Sequence, residues 1–196
     1  MKSQKLLVIA AIVCLLVGAS GTAMAVDCGP EGGSIVGGTY DEIVIIDDFV
    51  NCSVVGVTVT ERVLVRGADN FTMIGSIVTG NVRVINTKSA ALMDNDVFNG
   101  NLVTKGGAFS TVFQNVVYNG NIRVNDDAGQ QQQEVAVGQN LVIGGNLRVN
   151  HNNKANVKDN TVTNGDITCS NNDHLDSFTN HALGGKVNCS QFFGND

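Results

Sequence analysis

Few side chains in this sequence could carry out catalysis, and they are widely spaced. Asp94 and Asp96 point outward from the same predicted coil, but the equivalent positions in the neighbouring repeats hold no further carboxylate. Two acids make a poor calcium site because Ca²⁺ takes about six or more oxygen ligands. No paired carboxylates suited to glycoside hydrolysis occur on neighbouring repeats either. We therefore predict no catalytic residues, no metal site and no cofactor.

The histidines are the other candidates for acid–base chemistry. His151 and His174 fall in predicted turns, whereas His181 points outward with Asp159 diagonal to it on the adjacent repeat. A His–Asp pair would activate a Ser or Cys nucleophile, but no such residue lies in register with it. We interpret the three histidines as surface residues and keep the His–Asp pair as the alternative.

The first 25 residues are typical of a secretory signal. Lys2 and Lys5 precede an apolar run over 6–17, and Ala23-Met24-Ala25 is a small-x-small cleavage site. No second segment of membrane-spanning length follows. Removing the two lysines changes the formal net charge from −6 to −8, which disfavours nucleic acid and anionic membranes as partners. We predict a secreted protein, located extracellularly, in the periplasm or at the cell surface, with no membrane span.

Four cysteines remain after removal of the signal, and an even number in an oxidising compartment predicts two disulfides. Cys169 and Cys189 occupy the same slot in successive repeats, so their Cα atoms should lie about 4.8 Å apart, within the range that a disulfide accepts. Cys28 and Cys52 then pair by elimination. The alternatives are buried free thiols, or a zinc site, which is disfavoured because no C-x-x-C spacing occurs.

These residues are carried by a repeat whose clearest part is a glycine, usually followed by asparagine, and then an apolar alternation. The spacings are 20, 20, 25, 20 and 20 residues between Gly80, Gly100, Gly120, Gly145, Gly165 and Gly185. Each copy is too short to bury its own apolar face, which is typical of a solenoid with one shared core. The alternation with period two predicts about three short strands per repeat.

The predicted fold is all-β, a single-stranded parallel β-helix of about eight coils of about 20 residues. Its coils cover 43–190, between an N-terminal cap at 26–42 and a C-terminal cap or tail at 191–196. The interval of 25 residues places a surface insertion within 126–133. Positions three and eight before each glycine should point inward, which includes Ile77 and Thr72 in the first copy.

A second repeating feature is an asparagine five residues before the glycine. Stacked turns would place these amides in a hydrogen-bonded ladder, and the alternative is a ligand-binding row. The predicted ladder contains Asn95, Asn115, Asn140, Asn160 and Asn180, with Gly75 in the first copy.

Two outward columns, two and seven residues before the glycine, are apolar in the first four coils. A contiguous exposed apolar patch usually marks an interface, and the alternative is that a corner turns these side chains into the core. The predicted binding stripe contains Met73, Met93, Phe98, Phe113, Tyr118 and Ile143. A third column, Arg83, Arg123 and Arg148, could contact acidic glycans.

The stacked short strands, the asparagine ladder and the signal resemble the secreted parallel β-helix proteins related to pectate lyases, over roughly residues 40–190. The resemblance implies a right-handed coil. Many such proteins are polysaccharide lyases or hydrolases, while others are adhesins or structural spikes. The lyases hold calcium with an Asp cluster beside an Arg or Lys base, whereas the slots flanking Asp94 and Asp96 hold Ile74, Ser76, Gln114 and Val116.

We therefore predict a secreted, non-catalytic β-solenoid with a structural, adhesive or surface-interaction role. The expected partner is a second copy, or a glycan or other cell-surface ligand. Carbohydrate binding or cleavage of the pectate-lyase type is the alternative function.

Overall fold

The computed structural model describes residue 28 and residues 32–46, 51–125 and 134–189. These residues form 22 strands and no helix, and every strand pair is parallel. The predicted all-β solenoid is confirmed. The predicted signal peptide, the insertion within 126–133 and the tail at 191–196 lie outside the described residues.

The strands stack into three faces, each eight strands deep. Face 1 contains β1 (Gly33–Val36), β3 (Asn51–Val55), β5 (Asn70–Ile74), β8 (Ser89–Met93), β11 (Phe109–Phe113), β14 (Glu134–Gly138), β17 (Lys154–Lys158) and β20 (His174–Phe178). Two long strands, β2 (Thr39–Ile46) and β4 (Thr58–Arg66), each contribute first to face 2 and then to face 3.

The later coils divide faces 2 and 3 into separate strands. Face 2 continues with β6 (Ile77–Thr79), β9 (Asp96–Phe98), β12 (Val116–Tyr118), β15 (Leu141–Ile143), β18 (Thr161–Thr163) and β21 (His181–Leu183). Face 3 continues with β7 (Asn81–Ile85), β10 (Leu102–Lys105), β13 (Ile122–Asn125), β16 (Leu147–Asn150), β19 (Ile167–Ser170) and β22 (Val187–Asn188). Stacking begins at β1, within the segment predicted as the N-terminal cap.

The core is one continuous column because alternate side chains of every strand point inward. On face 3 the predicted inward positions are confirmed in the central coils, where Leu102, Ile122 and Leu147 stack in register and are fully buried. Ile43 and Val63 occupy the same column in the first two coils, as the sequence spacing predicted. The five extra residues fall between β13 and β14, because Phe109 pairs with Glu134.

One stretch of the predicted register is wrong. Val78, rather than Ile77, is buried and stacks on Val97, and Met73, rather than Thr72, is buried and stacks on Leu92. The cause lies in the turn from face 2 to face 3. In later coils an asparagine with a positive φ, Asn99 or Asn119, stands between the face-2 strand and the glycine. In this coil that asparagine is missing, and Gly80, with φ 139°, follows β6 directly. Positions counted upstream from Gly80 are therefore shifted by one residue relative to those in the later coils.

The predicted asparagine ladder is confirmed, and it lies inside the solenoid at the turn from face 1 to face 2. Asn115 is fully buried. Its Oδ1 accepts hydrogen bonds from the backbone N–H and side-chain amide of Asn95 at 3.1 and 3.0 Å. Its own amide donates to the carbonyl of Leu92 at 2.8 Å and to Asn140 at 3.1 Å. Ser76 takes the first place, predicted for Gly75, because its N–H donates to Asn95.

The glycines of the repeat stack at the turn from face 2 to face 3. A Cβ built on Gly120 would overlap the carbonyl oxygen of Gly100, and Gly145 and Gly165 stand in the same relation to the glycine one coil earlier. A side chain here would push neighbouring coils apart. A second, partly buried ladder runs beside them, in which Asn121 donates to Asn101 and accepts from Asn146.

Both predicted disulfides are confirmed, and each lies near one end of the stack. The Cα atoms of Cys28 and Cys52 are 5.7 Å apart, and those of Cys169 and Cys189 are 4.5 Å apart. The second pair continues the register in which Thr168 lies beside Asn188. A terminal coil has only one neighbour, so a covalent link opposes its fraying. Two disulfides fit an extracellular environment.

The buried ladder predicts a specific difference between two asparagines. Asn115→Ala would leave the Asn95 N–H buried without its partner, at roughly 1–3 kcal/mol, and would also remove the hydrogen bonds of the Asn115 amide to Leu92 and Asn140. Asn121→Ala removes a similar set of hydrogen bonds from a partly buried position, where water can replace them, so we expect a loss of under about 1 kcal/mol. Urea denaturation followed by circular dichroism measures both, and equal losses would contradict a buried spine.

Candidate functional site

The acidic residues singled out in the sequence do not converge. Asp94 lies in an exposed turn with φ 55°, whereas Asp96 lies on face 2 between Ile77 and Val116 of the adjacent coils. Among the described residues, no group of three or more His, Cys, Asp or Glu side chains could hold a metal ion.

The histidines lie on different parts of the surface. His151 is in a turn, where its Nε2 is 3.0 Å from the side-chain amide nitrogen of Asn171. His174 is at the edge of face 1 in register with Lys154. His181 is on face 2 in register with Thr161. The three histidines therefore lie apart from one another.

An open groove of about 330 Å³ lies at the corner between face 3 and face 1. Backbone and small side chains of Gly67, Ala68, Gly106 and Gly107 form much of it. Asp69 and Lys88 are its charged residues. The residues that line the groove include no serine, cysteine or histidine.

Five of the six residues of the predicted apolar stripe do lie on the outer surface, and Met73 does not. Met73 is fully buried, so its predicted outward position is wrong. The cause is the shift of one residue upstream of Gly80. Met93 and Phe113 are neighbours at the end of face 1, and Phe98, Tyr118 and Ile143 follow one another on face 2. All five are half-buried by their neighbours rather than fully exposed.

The structure adds a column that the sequence reasoning missed. Ile77, Asp96, Val116 and Leu141 stack along face 2, two residues before the aromatic column. The sequence did contain a signal for this column, because in β12 and β15 both the first and the third residue of the strand, which point outward, are apolar. We call the combined surface the apolar face, and it consists of Ile77, Met93, Phe98, Phe113, Val116, Tyr118, Leu141 and Ile143.

Stacking gives the aromatic part of the apolar face a defined geometry. The rings of Phe98 and Tyr118 are parallel, with centroids 4.6 Å apart and an interplanar angle of 0°. This separation follows from the spacing of about 4.8 Å between adjacent strands. The two rings therefore stack on each other along the axis of the solenoid.

Asp96 is the carboxylate within the apolar face. Because burial removes water from the charged form, the pKa of Asp96 is raised above its ordinary value. The pKa of Tyr118 is also raised, first by burial and second by the negative charge of Asp96. Neither flanking strand offers Asp96 a cation, since β6 carries no titratable side chain and β12 carries only Tyr118.

The predicted basic column also exists. Arg83, Arg123 and Arg148 are exposed on face 3, with Val103 between the first two. Arg62, at the start of the face-3 part of β4, pairs with Glu42 at 2.8 Å. No ion pair involves the three column arginines among the described residues.

The fold and these faces define a disulfide-linked parallel β-solenoid with an apolar and a basic outer surface. No family model, curated protein or solved structure matches the chain. No helix among the described residues is long and apolar enough to cross a membrane.

The raised pKa of Asp96 leads to a prediction about stability. The folded-state pKa exceeds the ordinary value of 3.8, so the protonated form favours folding and stability falls as pH rises through the interval between the two values. We expect Asp96→Asn to raise the free energy of unfolding at neutral pH, and the gain to disappear below the ordinary pKa.

Urea denaturation at several pH values measures this effect. Asp94→Asn is the control, because Asp94 is exposed and removing its charge relieves no burial cost. A wild-type protein more stable than Asp96→Asn at neutral pH would contradict the assignment, since it would mean that the carboxylate makes a favourable contact.

Proposed function

We propose that this protein is an exported, non-catalytic β-solenoid that acts by surface contact, in a structural or adhesive role. The observation that carries the proposal is the apolar face, in which eight apolar side chains lie near one another on the outside of four successive coils. Monomeric soluble proteins rarely present a contiguous apolar patch of more than a few hundred Å² without an interaction partner.

Export is part of the same proposal. The secretory signal at 1–25 and the two disulfides support it. A relation to the pectate-lyase-like β-helix proteins likewise remains a proposal, supported by the coil of about 20 residues and the internal asparagine ladder.

A second candidate function is the binding of an anionic glycan, and the column of arginines favours it. Arg123 and Arg148 are neighbours in register, so their charges are spaced along the rod axis as an extended polyanion would require. Guanidinium groups bind carboxylate and sulfate groups through charge-assisted hydrogen bonds. We expect binding without cleavage, because the column lacks a paired carboxylate.

One experiment separates the two candidates with a matched pair of variants. Tyr118→Glu and Arg123→Glu both place a glutamate on the outer surface of the same coil, five residues apart along the chain. Adsorption of the purified exported protein is measured on octyl-bearing beads and on immobilised polygalacturonate.

If the apolar face acts in adhesion, Tyr118→Glu should weaken adsorption to octyl beads about tenfold or more, which corresponds to about 1.4 kcal/mol, whereas Arg123→Glu should not. If the arginine column binds glycans, Arg123→Glu should weaken polygalacturonate binding, and added salt should do the same to the wild type. Failure of the wild type to bind either surface would contradict both candidates.

A further inference from the structure

We propose that the groove at the corner between face 3 and face 1 is a binding subsite for one uronic acid unit of an acidic polysaccharide. We call it the corner groove, and residues of the three turns at 67–69, 86–88 and 106–108 line it. The inference rests on the second candidate function, the binding of an anionic glycan, and names the sugar unit that is recognised.

The corner groove exists because two of these turns consist largely of glycine and alanine. The three turns follow β4, β7 and β10. The equivalent turns after β16 and β19 carry asparagines, and there the N–H of Asn152 donates to Oδ1 of Asn172 at 3.0 Å. Gly106, Gly107 and Ala108 lack such side chains, so the surface is concave at this corner. The groove has a volume of about 330 Å³, at the lower end of the range for small-molecule sites.

Two opposite charges line the corner groove without pairing with each other. Asp69 and Lys88 are neighbours in adjacent coils, because each directly precedes a residue of a register pair on face 1. A comparable pair of neighbours on face 1 does form a salt bridge, in which Lys154 Nζ lies 3.0 Å from Glu134 Oε1. No ion pair joins Asp69 to Lys88 among the described residues. The groove therefore presents a carboxylate and an ammonium as two separate groups.

These two groups match the two kinds of polar group on a uronic acid. The Lys88 ammonium can pair with the carboxylate of the sugar, and the Asp69 carboxylate can accept hydrogen bonds from its ring hydroxyls. The amide of Asn86 both donates and accepts, and the methyl group of Ala108 can contact the C–H groups of the ring. A simple inorganic anion would use Lys88 alone and would be repelled by Asp69.

The corner groove adjoins the cations of face 3. Arg66 and Lys105 are exposed residues at the ends of β4 and β10, and each directly precedes a glycine that lines the groove. Arg83 of the arginine column lies on β7, the strand between them. No acidic residue occurs on β7, β10, β13 or β16. A polyanion that lies along face 3 therefore meets cations over several coils and can place one sugar unit in the groove.

Amide chemical shifts, measured by NMR while a short oligogalacturonate is added to the exported protein, locate the site. We expect the amides of Gly67, Gly106 and Gly107 in the groove to shift together with that of Arg123 in the arginine column. Shifts on face 3 with unmoved groove amides would overturn the subsite and leave anionic glycan binding intact. No shift at either place would contradict both proposals.

Asp69→Asn distinguishes recognition of the sugar from general attraction between charges. General attraction predicts that a polyanion binds the variant more tightly, because a negative charge has been removed. The proposed subsite predicts about threefold weaker binding of oligogalacturonate in isothermal titration calorimetry, because a neutral amide oxygen is a weaker acceptor for the ring hydroxyls than a carboxylate. Asp94→Asn, in an exposed turn at another corner, is the control and should not weaken binding. An Asp69→Asn variant that binds as tightly as the wild type would overturn the subsite.

Lys88→Gln tests the partner of the sugar carboxylate in the same titration. We expect about tenfold weaker binding, as for the loss of one charge-assisted hydrogen bond. Lys158→Gln removes the same charge from face 1 and should change the affinity by less than about twofold. Equal losses in the two variants would mean that only net charge matters and would overturn the subsite. If Arg123→Glu weakens binding and Lys88→Gln does not, the second candidate function stands and only the groove assignment is wrong.

Discussion

The structure depends on one constraint, which is that each turn must place its polar groups against the same groups of the next coil. In a parallel stack with a spacing of about 4.8 Å, a buried turn can satisfy its N–H groups only through the coil above or below. Asparagine meets this need because its amide both donates and accepts. Asn95, Asn115 and Asn140 each use their Oδ1 or amide to bridge adjacent coils inside the solenoid. A change of coil length has to be absorbed outside this turn, and the five extra residues between β13 and β14 leave the Asn115–Asn140 hydrogen bonds intact.

The same constraint determines what the outer surface can offer. Equivalent residues of adjacent coils stack on one another, so a short run of similar residues forms a column on the surface, such as Arg123 beside Arg148 on face 3 or Phe98 beside Tyr118 on face 2. Such columns suit contact with another extended object, such as a polymer.

Much of the fold could be predicted from the sequence because the repeat is local and regular. The spacing of glycines predicted the stacking register on face 3, and the shared slot of Cys169 and Cys189 predicted their disulfide. The prediction for Met73 was wrong because Gly80 takes over the place that Asn99 holds in the next coil, and a one-residue change reverses which side chains point inward. The apolar face was only half predicted. Val116 and Leu141 lie two residues before Tyr118 and Ile143 on the same strands, so alternation along the chain could have given this column. Counting along the chain does not show that Met93 and Phe113 lie across the corner from it, at the end of face 1.

Amide hydrogen exchange, resolved by residue, tests most directly whether the buried asparagine ladder sets the register. The backbone N–H groups of Asn95, Asn115 and Asn140 lie in turns, yet each donates to the side chain of the next coil. The account predicts that these three amides exchange as slowly as those of the central strands, such as Val97 and Val117, because they open only when neighbouring coils separate. Exchange of the three amides at the rates of an unstructured chain would contradict the account.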